Sequence, residues 1–411
     1  MIADLVTRGL TISKSNGRVL IYSHDSFGLG HIRRCRTIAH ALAEAVPKLK
    51  VLIVSGSPII GSFDFKTRVD FVRVPGIIKL RSGEYVPLGR HGAVQETTAL
   101  RASLIRETAL NFSPDIFIVD KEPMGLRGEL ADTLEALRAR GTRLVLGLRD
   151  ILDDPGALAE EWRRKNAAPA VENLYDNILI YGLQDIYDPL QGLGLSRKTQ
   201  FKTTYTGYLR RTRPAAQSAA MPKDIGQRLL ITPGGGGDGE VLIDWVLSAY
   251  ERDYAILPPA LIVSGPFMRG DARFHFERRI AAIPTLSSLT FEPRMEHLMA
   301  ECLGVVSMGG YNTFCEILSF DKRALLVPRH TPRLEQTIRA EAAVRLGLTS
   351  MLAEPDSGVA PDIDGMSCAL RHLPLQDLPS SRTKPGLLDG LQSITSLCRH
   401  WLSLSVGHAE R

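Results

Sequence analysis

No run of the chain approaches the ~18 consecutive apolar residues of a membrane-spanning helix. Its first residues, MIADLVTRGLTISKSNGR, lack the apolar core of a secretory leader. A cytoplasmic location is expected, with any membrane contact peripheral and at the inner face. Cysteine is scarce: five residues, at 35, 302, 315, 368 and 398, with no C-x-x-C pair. That scatter excludes a disulfide framework and a cysteine-based zinc site, and fits reduced thiols. Neither sign of charge dominates, since 50 Lys and Arg against 45 Asp and Glu leave +5. No nucleic-acid partner is expected at so mild a balance, which suits an anionic small molecule or an anionic membrane surface.

What is present is the composition of a folded globular protein, 44% hydrophobic and 23% charged over 411 residues, enough for two domains. RVLIYS (18–23), KVLIVSG (50–56), DFVRVPG (70–76), DIFIVD (115–120), RLVLGLRD (143–150) and NILIYG (177–182) read as buried strands. Amphipathic stretches lie between them. One, HIRRCRTIAHALAEAV, sets Ile32, Cys35, Ala39, Leu42 and Val46 on one helical face, with Arg33, Arg34 and Arg36 elsewhere. Another, 127–141, ends at Gly141.

The pattern restarts with RLLIT (228–232), ALIVSG (260–265), LTFEP (289–293), GVVSMG (304–309) and RALLVP (323–328). Such alternation predicts an α/β protein of two doubly wound, Rossmann-like domains with a cleft at the carboxyl ends of the strands. The expected organisation is a tail at 1–17, a first domain at 18–207, a proline- and alanine-rich linker at 208–226, a second domain at 227–385, and a last helix within 386–411 returning to the first domain.

Four strand-to-helix turns carry candidate chemistry. In ITPGGGGDGEVLIDWVL (231–247), Gly234, Gly236 and Gly239 match G-x-G-x-x-G. The next strand nevertheless ends at Ser264-Gly265, without the acid that holds a dinucleotide ribose, and no G-K-[ST] follows the glycines. Two readings remain: a plain tight turn, or backbone N–H groups of Gly234 to Gly237 offered to an anion at a helix start.

VVSMGGYNTFCEILSF (305–320) is a strand, Gly309-Gly310, and a helix opened by Asn312 or Thr313. Thr313-x-x-Glu316 matches a capping box, in which Glu316 only returns a hydrogen bond to the Thr313 backbone. Alternatively Glu316 sits one turn into the helix with its carboxylate free for the two hydroxyls of a ribose. The third turn precedes a helix with Glu335 and Gln336 in its first turn, where the macrodipole favours an acid. At the other end of the chain, SHDSFGLGHIRR places His31 behind Gly28 and Gly30, where a turn needs the glycines but not the imidazole.

The stretch 291–347 resembles the donor-binding half of family 28 of the GT-B glycosyltransferases, the MurG-like N-acetylglucosaminyltransferases, and the resemblance extends loosely over 18–350, to a bacterial branch of that family. It implies the GT-B fold and transfer of a hexosyl group from a nucleotide-diphosphate sugar, UDP-linked, to an acceptor hydroxyl with inversion, in bacterial polysaccharide or glycolipid synthesis. The acceptor, a saccharide or a lipid-linked molecule, is left open.

By the same resemblance Glu316 holds the ribose, and Gly309, Gly310, Asn312 and Thr313 line the donor. Gln336 faces the donor sugar beside Glu335, which departs from the family's His or Gln. Gly234, Gly235, Gly236 and Gly237 meet the phosphates, although the family's usual serine is missing. TYTGYLRR nominates Arg210 for the diphosphate. Gly28 and Gly30 form the acceptor-side loop, and His31 is the base, with His24, Asp25 and Asp120 in reserve. An epimerase or hydrolase of nucleotide sugars on the same fold, or a non-catalytic binder of them, are the competing readings.

No cofactor is expected, nor a metal, because neither glycine loop has an Asp-x-Asp triplet or a His/Cys cluster beside it. Turnover should therefore persist in excess chelator. Complete loss that magnesium or manganese restores is the contrary result.

Overall fold

The computed structural model describes residues 17–24, 29–79, 84–88, 93–213, 221–355, 358–382 and 384–406. The tail at 1–16, Asp25, Gly28 and the linker stretch 214–220 lie outside them.

The first sheet has seven parallel strands in the order β3-β2-β1-β6-β7-β8-β9. These are β1 (Arg18–Ser23), β2 (Lys50–Ser55), β3 (Val69–Arg73), β6 (Ile116–Asp120), β7 (Arg143–Arg149), β8 (Asn177–Tyr181) and β9 (Thr203–Tyr205). A small antiparallel hairpin, β4 (Ile77–Lys79) and β5 (Tyr85–Pro87), interrupts the series. The second sheet runs β12-β11-β10-β13-β14-β15, all parallel. Its strands are β10 (Leu229–Thr232), β11 (Ala260–Val263), β12 (Leu286–Leu289), β13 (Gly304–Ser307), β14 (Ala324–Leu326) and β15 (Ser350–Met351).

The central strands are buried on both faces. Val19 to Tyr22 and Leu229 to Ile231 are at most 1% exposed. Such continuous apolar runs are what helices on both sides of a parallel sheet require. In each sheet the order reverses beside the first strand, at β1/β6 and at β10/β13, so each opens a crevice at its carboxyl edge.

Some boundaries differ from the sequence reading. LTFEP is not a strand. The strand runs Leu286–Leu289, with Leu286 its one buried residue, and the chain turns at Pro293 toward the helix Met295–Glu301. The helix Val94–Phe112 and the hairpin were not anticipated, since the helix has only three buried positions, Arg101, Ile105 and Ala109, and so shows little periodicity. All five cysteines are free thiols, four of them buried.

The chain passes between the two domains twice, and the passages are tied together. Tyr208 N donates to Leu387 O at 2.8 Å, Gly390 N donates to Tyr208 O at 3.2 Å, and Leu209 bridges Asp389. Beyond that ribbon the helix Gly390–Val406 lies against the helix Gly30–Ala45, where Arg399 donates to Ala45 O.

The glycine loop after β10 is shaped by close approach. Gly236 has φ +88, and a Cβ there would stand 2.3 Å from Ser264 O. Gly265, on the neighbouring loop with φ +90, would meet the Gly235 backbone at 2.5 Å. The loops interlock only without side chains. Gly236→Ala should destabilise the protein by about 1–3 kcal/mol, read as a lower urea midpoint at unchanged slope.

Candidate active site

Between the carboxyl edges of the two sheets lies a cleft of about 1140 Å³. It is walled on one side by Leu29, Gly30, His31, Arg33 and Arg34 and on the other by the glycine loop and the start of the helix Tyr311–Ser319.

His31 stands in the first turn of the helix Gly30–Ala45 and lines the cleft. Its Nδ1 lies 2.5 Å from Asp120 Oδ2, at the end of β6. A carboxylate only accepts, so Nδ1 carries the proton and Nε2 keeps the lone pair. Asp120 is held in turn by Arg34, whose Nε and Nη2 donate to its two oxygens at 2.8 and 2.7 Å. Burial would raise the Asp120 carboxyl, but Arg34 and His31 keep it below the ordinary carboxylate range. Burial pushes His31 down to about 4 against the opposing pull of Asp120, with Arg34 and Lys121 adding to the fall.

Asp120 is thus the partner of His31 rather than an alternative to it. The sequence reading put Arg34 away from the core with its neighbours, yet Arg34 is 1% exposed. A carboxylate 86 residues along the chain makes that burial tolerable. His24 also lines the cleft, at 5.5 Å and edge-on to the His31 ring.

On the opposite wall, Gly234, Gly235 and Gly237 line the cleft, whereas Gly236 turns its Cα against the Ser264 carbonyl. Gly310 is the N-cap of the helix Tyr311–Ser319, so neither Asn312 nor Thr313 opens it. The capping box is absent: Thr313 lies inside the helix, and Glu316, 1% exposed, bonds instead to Arg33 of the first domain. Glu316 Oε2 is buried with no partner among the described residues. Burial, together with the nearby Glu296 carboxylate, holds Glu316 above the usual carboxylate range, while Arg33 pulls the other way.

Asn312 lines the cleft but is committed across the junction, donating to Gly30 O at 2.9 Å and accepting from Arg211 at 2.6 Å. Arg210, by contrast, is exposed and no part of the lining; the buried member of that pair is Arg211. Of two adjacent arginines one is exposed and one buried, and only the fold shows which faces inward.

Glu335 and Gln336 open the helix Glu335–Arg345 at the cleft wall. Glu335 accepts from Arg329 at 3.0 Å through Oε1 and leaves Oε2 unpartnered, and Gln336 Oε1 accepts from Arg329 N at 3.3 Å. Gly309 is outside the lining, with φ +73 and its carbonyl taken by Arg339 at 3.0 Å. Among the described residues no group of three His, Cys, Asp or Glu is placed to hold a metal ion, and no helix is long and apolar enough to cross a membrane.

No family model and no curated protein matches the sequence. Solved structures do. A MurG from Acinetobacter baumannii matches at TM-score 0.56 and 12% identity, covering 93% of this chain and 99% of that one. A calicheamicin glycosyltransferase matches at 0.58 and 13%, covering 94% and 98%. A UDP-glucosyltransferase from Polygonum tinctorium, capable of glucosylating indoxyl, matches at 0.63 and 12%, covering 95% and 99%. The chain has the GT-B fold. Near-complete coverage of both partners in each pair means that the likeness spans both domains.

The depressed His31 sets a pH expectation. The neutral imidazole of His31 persists down to about 4. The NMR titration midpoint of its ring should therefore lie well below the ordinary histidine value of ~6.5, with its shifts unchanged from neutrality to about pH 5. A midpoint at the ordinary value would contradict the buried geometry.

Proposed function

We propose that this protein is a glycosyltransferase that moves a hexosyl group from a UDP-sugar to an acceptor hydroxyl with inversion. The observation that carries it is one cleft faced by two complementary sets of groups. On the first domain stands a histidine whose Nε2 is left basic by Asp120; on the second lie a glycine loop, a helix start and a buried carboxylate oxygen without a donor.

The donor lies on the second domain. Its ribose hydroxyls donate to Glu316 Oε2, and its phosphates take the backbone N–H groups of the Gly234–Gly237 loop and of the helix start behind Gly310. Glu335 and Gln336 offer acceptors to the sugar hydroxyls. The acceptor oxygen attacks the anomeric carbon from the face opposite the phosphate, and the bond from that carbon to the β-phosphate oxygen breaks. His31 Nε2 takes the hydroxyl proton as the new bond forms, and Asp120 stabilises the imidazolium. The charge arriving on the leaving UDP is met by N–H dipoles already in place, which need no reorganisation.

Two substitutions separate the sets. His31→Ala should lower turnover by ~10²–10⁴ and leave UDP affinity unchanged by calorimetry, since base and donor belong to opposite walls. Glu316→Gln should weaken UDP binding by about 1.5–3 kcal/mol. A His31 variant with nearly full transfer rate, or a Glu316 variant with unchanged UDP affinity, contradicts the assignment. Donor breakdown without an acceptor would point to a hydrolase or epimerase, and UDP binding without turnover to a binding protein.

A further inference from the structure

At the carboxyl ends of β6 and β7, two cations line the cleft with no carboxylate in hydrogen-bonding reach of either among the described residues. Lys121 follows Asp120 directly, with φ +70, and its N donates to Gly147 O in β7 at 2.8 Å. Its backbone is thereby pinned to the strand that ends in Arg149. Among the described residues the nearest carboxylate to Lys121 Nζ is Glu122 at 3.7 Å, beyond hydrogen-bonding reach, and Glu122 is already held by Lys165 at 2.8 Å. Arg149 stands 3.9 Å from Glu335 Oε1, an oxygen that accepts from Arg329, and Arg149 Nε is buried with no partner among the described residues.

Three buried arginines behave differently. Arg34, Arg101 and Arg339 each grip one carboxylate through two hydrogen bonds, to Asp120, Glu129 and Asp150. Each of these three is paired in full, the condition under which a buried charge is tolerated. Arg211, also buried but outside the cleft lining, has no carboxylate partner among the described residues; it gives Nη1 and Nη2 to Thr37 and Asn312, and its Nε is likewise without a partner among them. Arg149 and Lys121 are the exceptions among the cleft's inner cations. Beside them is His24, 4% exposed, whose Nδ1 has no partner among the described residues.

Burial weighs on both cations. Burial, with repulsion from Arg333 and Arg149, brings Lys121 down to about 8, and burial with repulsion from Arg34 and Arg339 brings Arg149 to about 10. Glu122 and Glu335 oppose these shifts without cancelling them.

We propose that Lys121, Arg149 and His24 form a subsite for an anionic group, a carboxylate or a phosphate, carried by one of the two substrates beside the base. Which molecules those substrates are rests on the glycosyltransferase reading; the anion site itself does not. A phosphorylated or carboxylated acceptor would bring the group from the first-domain side. A uronic-acid donor would bring it on the transferred sugar, past Glu335.

The test is calorimetry of inorganic phosphate into the full chain saturated with UDP, so that the diphosphate subsite is already filled. Phosphate should bind at a single site, and Lys121→Met and Arg149→Met should each weaken it about tenfold or more. Lys121→Arg should retain it, and UDP affinity should stay within about twofold in all three. The methionine variants should melt no lower than the parent at low salt, because each removes an uncompensated charge rather than a pair.

Glucose 6-phosphate binding more tightly than glucose to the UDP-loaded protein puts the anion on the acceptor. UDP-glucuronate binding more tightly than UDP-glucose to the free protein puts it on the donor sugar. Either preference, lost in Arg149→Met, supports the site. Phosphate that does not bind, that UDP displaces, or that binds both methionine variants unchanged overturns it. If UDP itself fails to bind, the glycosyltransferase reading fails separately, and the phosphate titration of the free protein still decides the anion site.

Discussion

Arg339 and Asp150 form the pair on which the cleft depends. The guanidinium, on the second domain, donates to both oxygens of a carboxylate at the end of the first sheet, at 2.8 and 2.6 Å. It also donates to the carbonyl of Gly309, and Asp150 accepts in addition from Tyr208 at 3.0 Å. One buried ion pair therefore fixes a strand end, a glycine turn and the passage between the domains at once. Its geometry is bidentate and its remaining lone pairs are used, the condition under which burying two charges is tolerated. Removing either partner would strand the other in a medium that cannot solvate it.

The same logic recurs along the junction and gives the cleft its chemistry. Arg34 and Asp120 are a second bidentate pair, and the carboxylate left over from that task orients His31. Arg33 reaches Glu316 and Glu296 across the cleft. Arg333 joins Asp153 and Glu161 on the far wall. The catalytic proposal and the architecture thus draw on one set of residues. The dyad is not an addition to a finished scaffold but one end of an ion-pair lattice that also holds the domains in register.

Much of this was legible in the sequence, and the part that was not has a physical cause. Continuous apolar runs gave the buried parallel strands, and the glycine turns gave three candidate sites; Gly30, Gly234 and Gly310, one from each, line a single cleft. Choices between neighbours of the same type were hidden. Arg34 rather than Arg33 is paired with Asp120, and Arg211 rather than Arg210 faces inward, because the deciding carboxylate or amide lies 86 or 101 residues away. The capping-box pattern at Thr313 misled for the same reason. A local rule competed with a tertiary partner 283 residues off, and the tertiary partner won.

The two chain passages between the domains bear on how the cleft can move. Because Tyr208 and Leu209 are hydrogen-bonded to Leu387, Asp389 and Gly390, the passages behave as one narrow ribbon rather than two separate tethers. Two bodies joined along a single ribbon keep essentially one easy degree of freedom, a rotation about that line. Sliding and shearing would tear its hydrogen bonds. Opening of the cleft is therefore a swing measured from Tyr208, in which groups far from the ribbon travel furthest and those beside it scarcely shift. Tyr208 is itself bonded to Asp150, so the Arg339 pair sits close to the axle, where rotation strains it least.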